Sequence, residues 1–356
     1  MLSFIIRRLS YGFLVLLGVL TVVFFIFNIL PGDPARMMLG QRADQEAIDE
    51  INRELGLDKN LFAQYMLYLN DLSPISYHSK NAQDASYYSE SKYGGYLFLE
   101  LENSGIALKS PYLRKSYQTK KNVSSILFES LPETAVLAVA AILIASFFGI
   151  FLGLLSALQK DTWIDRLLLF IATSGMALPS FFVGIIFAWV FGFLLSDYTG
   201  LSMTGSLYEV DDLGRGEYIN WANLVLPALT LGIRPLAVVI QLSRNSLLEV
   251  LSKDYIRTAK AKGLSSSKLI FKHAMQNALN PVITAISGMF ASLMAGAVFV
   301  EIIFSWKGIG WEIVNALEKY DLPIVMGSVL IIAVIFVCIN IIVDILYGVL
   351  DPRVRI

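Results

Sequence analysis

Six stretches of the chain are apolar for long enough to cross a lipid bilayer, and polar segments of very unequal length separate them. A helix rises about 1.5 Å per residue, so about 20 apolar residues are needed to span the hydrocarbon core. Leu9 to Leu30, Thr134 to Leu158, Leu167 to Ser196, Pro281 to Val300 and Leu322 to Val343 meet that demand without a charged residue, and Trp221 to Ser243 meets it with Arg234 alone. The pattern predicts an all-α polytopic membrane protein with six transmembrane helices. The first stretch follows Arg7 and Arg8, as a signal peptide would, but it is too long for one and no small-residue cleavage site follows. It is expected to stay as an anchor.

The polar segments divide the rest. Between the first two stretches lie about 100 residues, Pro31 to Leu131. Within "ADQEAIDEINRELGLDKNLFAQYMLYL", Ile48, Ile51, Leu55, Leu61, Tyr65 and Leu69 recur at near-helical spacing and Gly56 interrupts them, which predicts two short helices. From Ser73 to Lys121 the sequence is rich in Ser, Tyr, Asn and Lys and reads as an irregular, partly mobile surface excursion. Between the fourth and fifth stretches, residues 244–280 predict two helices and a hinge. The first runs from about Glu249 to Lys262, with Ser246 and Glu249 spaced as a capping box, and Gly263 ends it. The second runs from near Ser265 to Asn280; Leu269, Ile270 and Ala274 lie close on its helical wheel while Lys268 and Lys272 pair at i, i+4. An apolar face beside a basic one wants a partner surface. The chain thus divides into residues 1–30 (N-terminus and first helix), 31–131 (a large loop) and 132–356 (a five-helix core containing loop 244–280).

Charge orients this plan. Lysine and arginine in short loops stay on the cytoplasmic side. With the N-terminus inside, the inner pieces hold Arg7 and Arg8, Lys160 and Arg166, seven basic residues from Arg244 to Lys272, and Arg353 and Arg355; the two short outer loops hold only Arg215, Lys307 and Lys319. Both termini and loop 244–280 are therefore expected in the cytoplasm and loop 31–131 outside. With 56% hydrophobic and 16% charged residues and a mean hydropathy of +0.62, lipid is the main partner. The net charge of −1 gives no reason to expect nucleic acid.

Candidate chemistry is sparse. Cys338, His78 and His273 cannot build a disulfide framework or a His/Cys metal cluster, and no GxxxxGK[ST] phosphate loop, nucleophile or general base stands at a recognisable spacing. No enzyme site and no cofactor is expected in this chain. Arg234, followed by Pro235, costs roughly 2.5–3.5 kcal/mol at membrane depth. Two roles offset that cost equally well: a residue of the translocation pathway, or a cap on carbonyls freed by Pro235 together with snorkelling. Gly175 and Pro179 predict a bend in the long third stretch. Glu301 and Asp344 lie at opposite ends of the fifth and sixth stretches, where interfacial water can solvate them.

Ordered strings along the whole chain then carry a resemblance. "LPGDPAR", "ELGLD", "DYIRTAKAKG", "NALNPVI", "GAVFVEIIFSWKGIG" and "DPRVR" occur in an order and topology that resemble the permeases of binding-protein-dependent ABC importers, in the dipeptide, oligopeptide and nickel subfamily. Loop 244–280 resembles their EAA loop in a variant form: Arg257, Thr258 and Ala259 stand at its first three places, Gly263 matches, and His273 to Gln276 stand where I-x-L-P would be. The resemblance implies a type I importer permease of the bacterial inner membrane. It implies pairing with a homologous permease subunit, two ATPase subunits that bind ATP and Mg in place of this chain, and an extracytoplasmic solute-binding protein. Asp254, Arg257, Thr258, Ala259, Gly263, Ser265, Leu269 and Ile270 are then the residues of ATPase coupling. Peptides are the implied solutes, with nickel or another small solute as the alternative; an ion-coupled secondary transporter is the rival class, and it would need a coupling-ion site and broken repeats near the midplane.

Overall fold

The absence of water from a bilayer forces each spanning segment to satisfy its own backbone, and the apolar stretches accordingly fold as helices. The computed structural model describes residues 2–29, 44–81, 84–211, 214 and 216–350; "LPGDPAR", Arg215 and the closing "DPRVR" lie outside the described residues. Helix α1 is Leu2–Ile29, followed by α2 (Gln45–Leu55) and α3 (Leu61–Leu72). Strands β1 (Ile75–Ser79), β2 (Tyr96–Glu100) and β3 (Ser104–Leu108) precede α4 (Val123–Leu158), α5 (Trp163–Ala177) and α6 (Ser180–Trp189), which a π turn extends to Leu194. A hairpin of β4 (Tyr208–Val210) and β5 (Glu217–Ile219) leads to α7 (Ala222–Leu251) and α8 (Asp254–Ala261). Helices α9 (Met275–Gly296), α10 (Val298–Phe304), α11 (Ile309–Glu318) and α12 (Leu322–Leu350) complete the order.

Among the described residues four helices are long and apolar enough to cross a membrane, and two broken pairs raise the number to six if each pair is one span. The third stretch is one of those pairs. Pro179 has no N–H and pushes its neighbour out of the helical region, so Leu178 and Pro179 are extended (ψ 135° at each) and α5 meets α6 at 108°. The expected bend is a full break. Helix α4 begins at Val123, eleven residues before the predicted Thr134, and within it Glu133 is buried, accepting hydrogen bonds from the Ser206 hydroxyl and from Leu207 N at 3.4 Å.

The fold is mostly helical, and the all-α expectation is corrected by five short strands among the described residues. β1, β3 and β2 form an antiparallel sheet in that order, with Ile75 opposite Leu108 and Tyr77 opposite Ile106, and β4 pairs with β5. The sheet occupies the segment expected to be irregular. Its alternation is inverted: Ser76 and His78 are buried, whereas Ile75 and Tyr77 are exposed. A polar composition therefore concealed a strand period.

The chain divides into two units, Met1–Gly12 with Ser130–Trp311 and Ile332–Ile356, and Phe13–Glu129 with Glu312–Ile331. The second unit is built round two carboxylates. Asp71 pairs with Arg114 Nε at 2.9 Å, accepts from the Tyr93 hydroxyl at 3.2 Å, and receives Lys109 Nζ on its main-chain oxygen. Burial pulls the Lys109 ammonium down to about 8, with Asp71 opposing the shift. Asp321 accepts from Ser116 Oγ and from the amides of Tyr117 and Gln118, which fixes the turn that follows the sheet.

The first unit is centred on Glu301, which is fully buried rather than solvated at an interface. Its carboxylate accepts from Thr134 Oγ1 of α4 at 2.8 Å and from Trp311 N at the start of α11 at 3.0 Å, where a negative charge suits the helix dipole. Thr134 Oγ1 in turn accepts from Ile309 N at 2.8 Å, and Trp306 Nε1 donates to the Glu133 carbonyl at 3.0 Å. Gly308 lies so close that a Cβ there would stand 2.5 Å from the Glu301 oxygens. Asp344, the other expected interfacial acid, pairs with Arg8 at 3.0 Å.

Replacing Glu301 tests this centre. Glu301→Ala leaves the Thr134 hydroxyl and the Trp311 amide without an acceptor, at roughly 1–3 kcal/mol for each buried donor. Thermal unfolding of the detergent-solubilised protein should rank wild type above Glu301→Gln, which keeps one acceptor oxygen, and Glu301→Gln above Glu301→Ala.

Candidate functional site

Loop 244–280 begins inside α7 and ends inside α9, so both of its ends are anchored in long helices. Helix α7 continues to Leu251, and the residues expected to start a new helix near Glu249 are its last turn. Ser246 does not cap; its hydroxyl crosses to the Ala278 carbonyl of α9 at 2.8 Å. Lys253 then adopts an extended conformation and α8 starts at Asp254.

Helix α8 is held by its apolar side. Ile256 is buried in a cluster with Ala157 of α4, Leu247 and Val250 of α7, and Leu269, Ala274 and Ala278 beyond the hinge, and Ala259 packs against it. Asp254, Tyr255, Arg257, Thr258 and Lys260 remain exposed. Asp254 meets Arg257 at 3.5 Å, and the Thr258 hydroxyl donates to the Asp254 carbonyl at 3.0 Å. Exposed pairs of this kind contribute at most about 1 kcal/mol, so the apolar cluster fixes the helix.

Gly263 ends α8 with φ +78°, as its place in the sequence requires. Leu264 N reaches Ala259 O at 3.4 Å and Gly263 N reaches Lys260 O at 3.0 Å. These are the two bonds of a Schellman cap, with a glycine in the left-handed position. Nothing lies within 4 Å of where a Cβ would be. The requirement at this position is one of backbone conformation alone. Ser265 is extended, and its carbonyl accepts from Leu269 N at 2.9 Å.

Beyond the hinge, a turn at Ser266–Lys268 passes into a π-helical segment, Leu269–Ala274, and directly into α9. The second helix therefore does not stop at Asn280 but runs on into the fifth apolar stretch. The wider π turn also rotates the wheel drawn for an α-helix. Leu269, expected on the free apolar face, is buried with Ile256, Ile270 is half-buried, and Phe271 is the large apolar side chain turned outward, 62% exposed.

Two arginines of α7 contrast sharply. Arg234, near the middle of the helix, is exposed and has no hydrogen bond or ion pair among the described residues, so no contact caps the carbonyl freed by Pro235. Arg244, at the root of the loop, is by sequence only one of seven basic residues from Arg244 to Lys272. It grips Asp165 of α5 through Nε to Oδ1 and Nη2 to Oδ2, both at 2.7 Å. Ser156 Oγ and Asp161 N also donate to that carboxylate. The local signal was Thr162, the cap of α5, standing three residues before Asp165; its partner 79 residues away has no local signature.

Comparison with known proteins follows the same elements. Residues 149–356 match the family described as "Binding-protein-dependent transport system inner membrane component", and residues 1–88 match its N-terminal companion. The chain is 33% identical over 369 residues to the dipeptide transport system permease protein DppB of Alkalihalophilus pseudofirmus, with 100% of each covered. It is 32% identical to the di/tripeptide transport system permease protein DppB of Pseudomonas aeruginosa, over 100% of this chain and 99% of that one. The glutathione transport system permease protein GsiC of Escherichia coli is 31% identical over 356 residues, with 100% and 99% covered.

The open space at Gly263 separates backbone from bulk. Asparagine tolerates a positive φ, whereas a β-branched residue there meets a cost of roughly 1–2 kcal/mol or more. Hydrogen exchange should show wild-type protection of the Asp254–Ala261 amides in Gly263→Asn and clearly faster exchange in Gly263→Val. Equal protection in the two variants would mean that the cap does not set the loop.

Proposed function

The chain belongs to the binding-protein-dependent transport system inner-membrane component family, and on that footing we propose that it is one transmembrane half of an ATP-binding-cassette importer that moves short peptides across the bacterial inner membrane. The observation that carries this reading is loop 244–280. A short helix capped by Gly263 is pinned through Ile256 and Leu269 to the ends of α4, α7 and α9, while Tyr255, Arg257, Lys260 and Phe271 face outward. Such a knob is packed on its inner side and exposed on its outer side. It fits the groove of an ATPase subunit, so that nucleotide-driven movement of the ATPase is passed to the helices. ATP and Mg are bound by those two subunits.

The basic residues around this loop support six spans, with both termini and the loop in the cytoplasm and the segment from Pro31 to Leu131 outside. A second, homologous permease and an extracytoplasmic binding protein complete the assembly. Arg234 lines the pathway between the two permeases: it is exposed at mid-helix with no hydrogen bond or ion pair among the described residues, and a peptide offers a carboxylate that matches it. Peptides are favoured as solutes because the relatives carry dipeptide, di/tripeptide and glutathione in their names, and glutathione is itself a tripeptide.

The topology is checked with single cysteines at the exposed positions Glu102 and Ser266, in a Cys338→Ser background. An impermeant thiol reagent should label the first from outside and the second only after the membrane is opened; labelling of both from one side would overturn the orientation.

The mechanism is checked with the assembled complex in proteoliposomes. Dipeptide uptake should depend on ATP and survive collapse of the ion gradients, whereas uptake that follows the gradient without ATP would refute the importer. In the same assay Arg234→Ala should insert normally and lower uptake by about tenfold or more, the value of one charge-assisted hydrogen bond. Wild-type uptake would remove Arg234 from the pathway.

A further inference from the structure

The fork between Asp165 and Arg244 is built more completely than a helix staple requires. Each oxygen of Asp165 is used twice: Oδ1 by Arg244 Nε at 2.7 Å and by Ser156 Oγ at 2.5 Å, Oδ2 by Arg244 Nη2 at 2.7 Å and by Asp161 N at 2.9 Å. The side chains are 3% and 14% exposed. Ser156 is in the last turn of α4, Asp161 is in the turn with φ +67°, Asp165 is in the first turn of α5, and Arg244 is on α7. Two parallel bonds between planar groups fix an angle as well as a distance, which a point charge such as lysine cannot do.

Its position gives this rigidity a use. Leu247 and Val250, one and two turns beyond Arg244 on α7, enclose Ile256 of the loop together with Ala157, the neighbour of Ser156. The loop, the end of α7, the end of α4 and the start of α5 therefore form one continuous packed body. At its other end α5 stops at the extended pair Leu178–Pro179, where the chain turns by 108° into α6. A helix clamped at one end and jointed at the other is a lever.

We propose that the Asp165–Arg244 fork is the positioning contact that passes movement of loop 244–280 to α5, the first half of the broken third span, so that losing the fork uncouples ATP hydrolysis from transport while the ATPases stay bound. This rests on the importer reading given above. Removing either partner breaks the same unit, because neither group alone can hold the angle. Single and double variants should then resemble one another, as residues that act together do.

The test uses the whole complex in proteoliposomes, with Asp165→Asn, Arg244→Gln, the double variant, and Arg244→Lys, which keeps the buried charge pair and removes only the two-bond geometry. ATPase subunits should co-purify at wild-type stoichiometry with all four. The amount of dipeptide moved per ATP hydrolysed should fall by about 2- to 30-fold, the range seen for residues along a coupling network. The double variant should fall no further than the singles, and Arg244→Lys should fall with them. A wild-type ratio in Asp165→Asn and Arg244→Lys would overturn the proposal and leave the fork as a staple. So would additive losses, or a loss of the ATPases from the Arg244→Lys complex, since the fork would then be maintaining the fold of the loop. Failure of the importer reading looks different: the wild-type complex itself would take up dipeptide without ATP.

Discussion

A charge removed from water needs donors in its place, and three buried carboxylates of the first unit meet that constraint by joining separate elements. Glu301 joins α4 to the start of α11, Glu133 ties α4 to the turn after Gly205, and Asp165 joins α4, α5 and α7. Lipid provides no hydrophobic drive between helices, so close packing at small residues and interhelical hydrogen bonds hold them together. The carboxylates supply what packing does not: a defined set of donors at a defined angle. Removing one leaves buried donors unpaired, so the same contacts that specify the arrangement also make it intolerant of change.

Loop 244–280 obeys a different logic. Its order comes from Ile256 and Leu269 turned inward and from one backbone cap at Gly263, while its charged residues are left to solvent. Such a segment is rigid towards its own chain and open towards a partner. The chain breaks at Lys253 and at Gly263–Ser265, so α8 is tied to α7 and to the start of α9 by side-chain packing of Ile256 and Leu269 and not by a continuous helix.

How much of this was legible in the sequence depended on the range of the signal. The apolar stretches were readable because length and composition suffice, and Gly263 because only glycine adopts φ +78° at little cost. The break at Leu178–Pro179 was readable as a bend, though not its size. An α-helical wheel does not show that Leu269 packs inward, because a π segment starts there, and the composition hides the sheet because Ser76 and His78 face inward where strands normally bury apolar residues. Glu301 read as a solvated interfacial residue, since its donors come from Thr134 and Trp311, 167 and 10 residues away. The fork was invisible for the same reason. Contacts between distant carboxylates and their donors leave no local pattern in one sequence.

Helix α7 brings the two kinds of charge together. Arg244 at its loop end is fully met by Asp165, whereas Arg234, ten residues earlier, meets nothing among the described residues of its own chain. Placing that guanidinium near the middle of a span costs roughly 2.5–3.5 kcal/mol if lipid surrounds it. Snorkelling relieves such a cost near a helix end, but Arg234 is twelve residues from the start of α7 and seventeen from its end. The charge is therefore tolerable only where water or another chain reaches it. Helix α7 thus carries one arginine that fixes it to the start of α5 and one that is left exposed among the described residues.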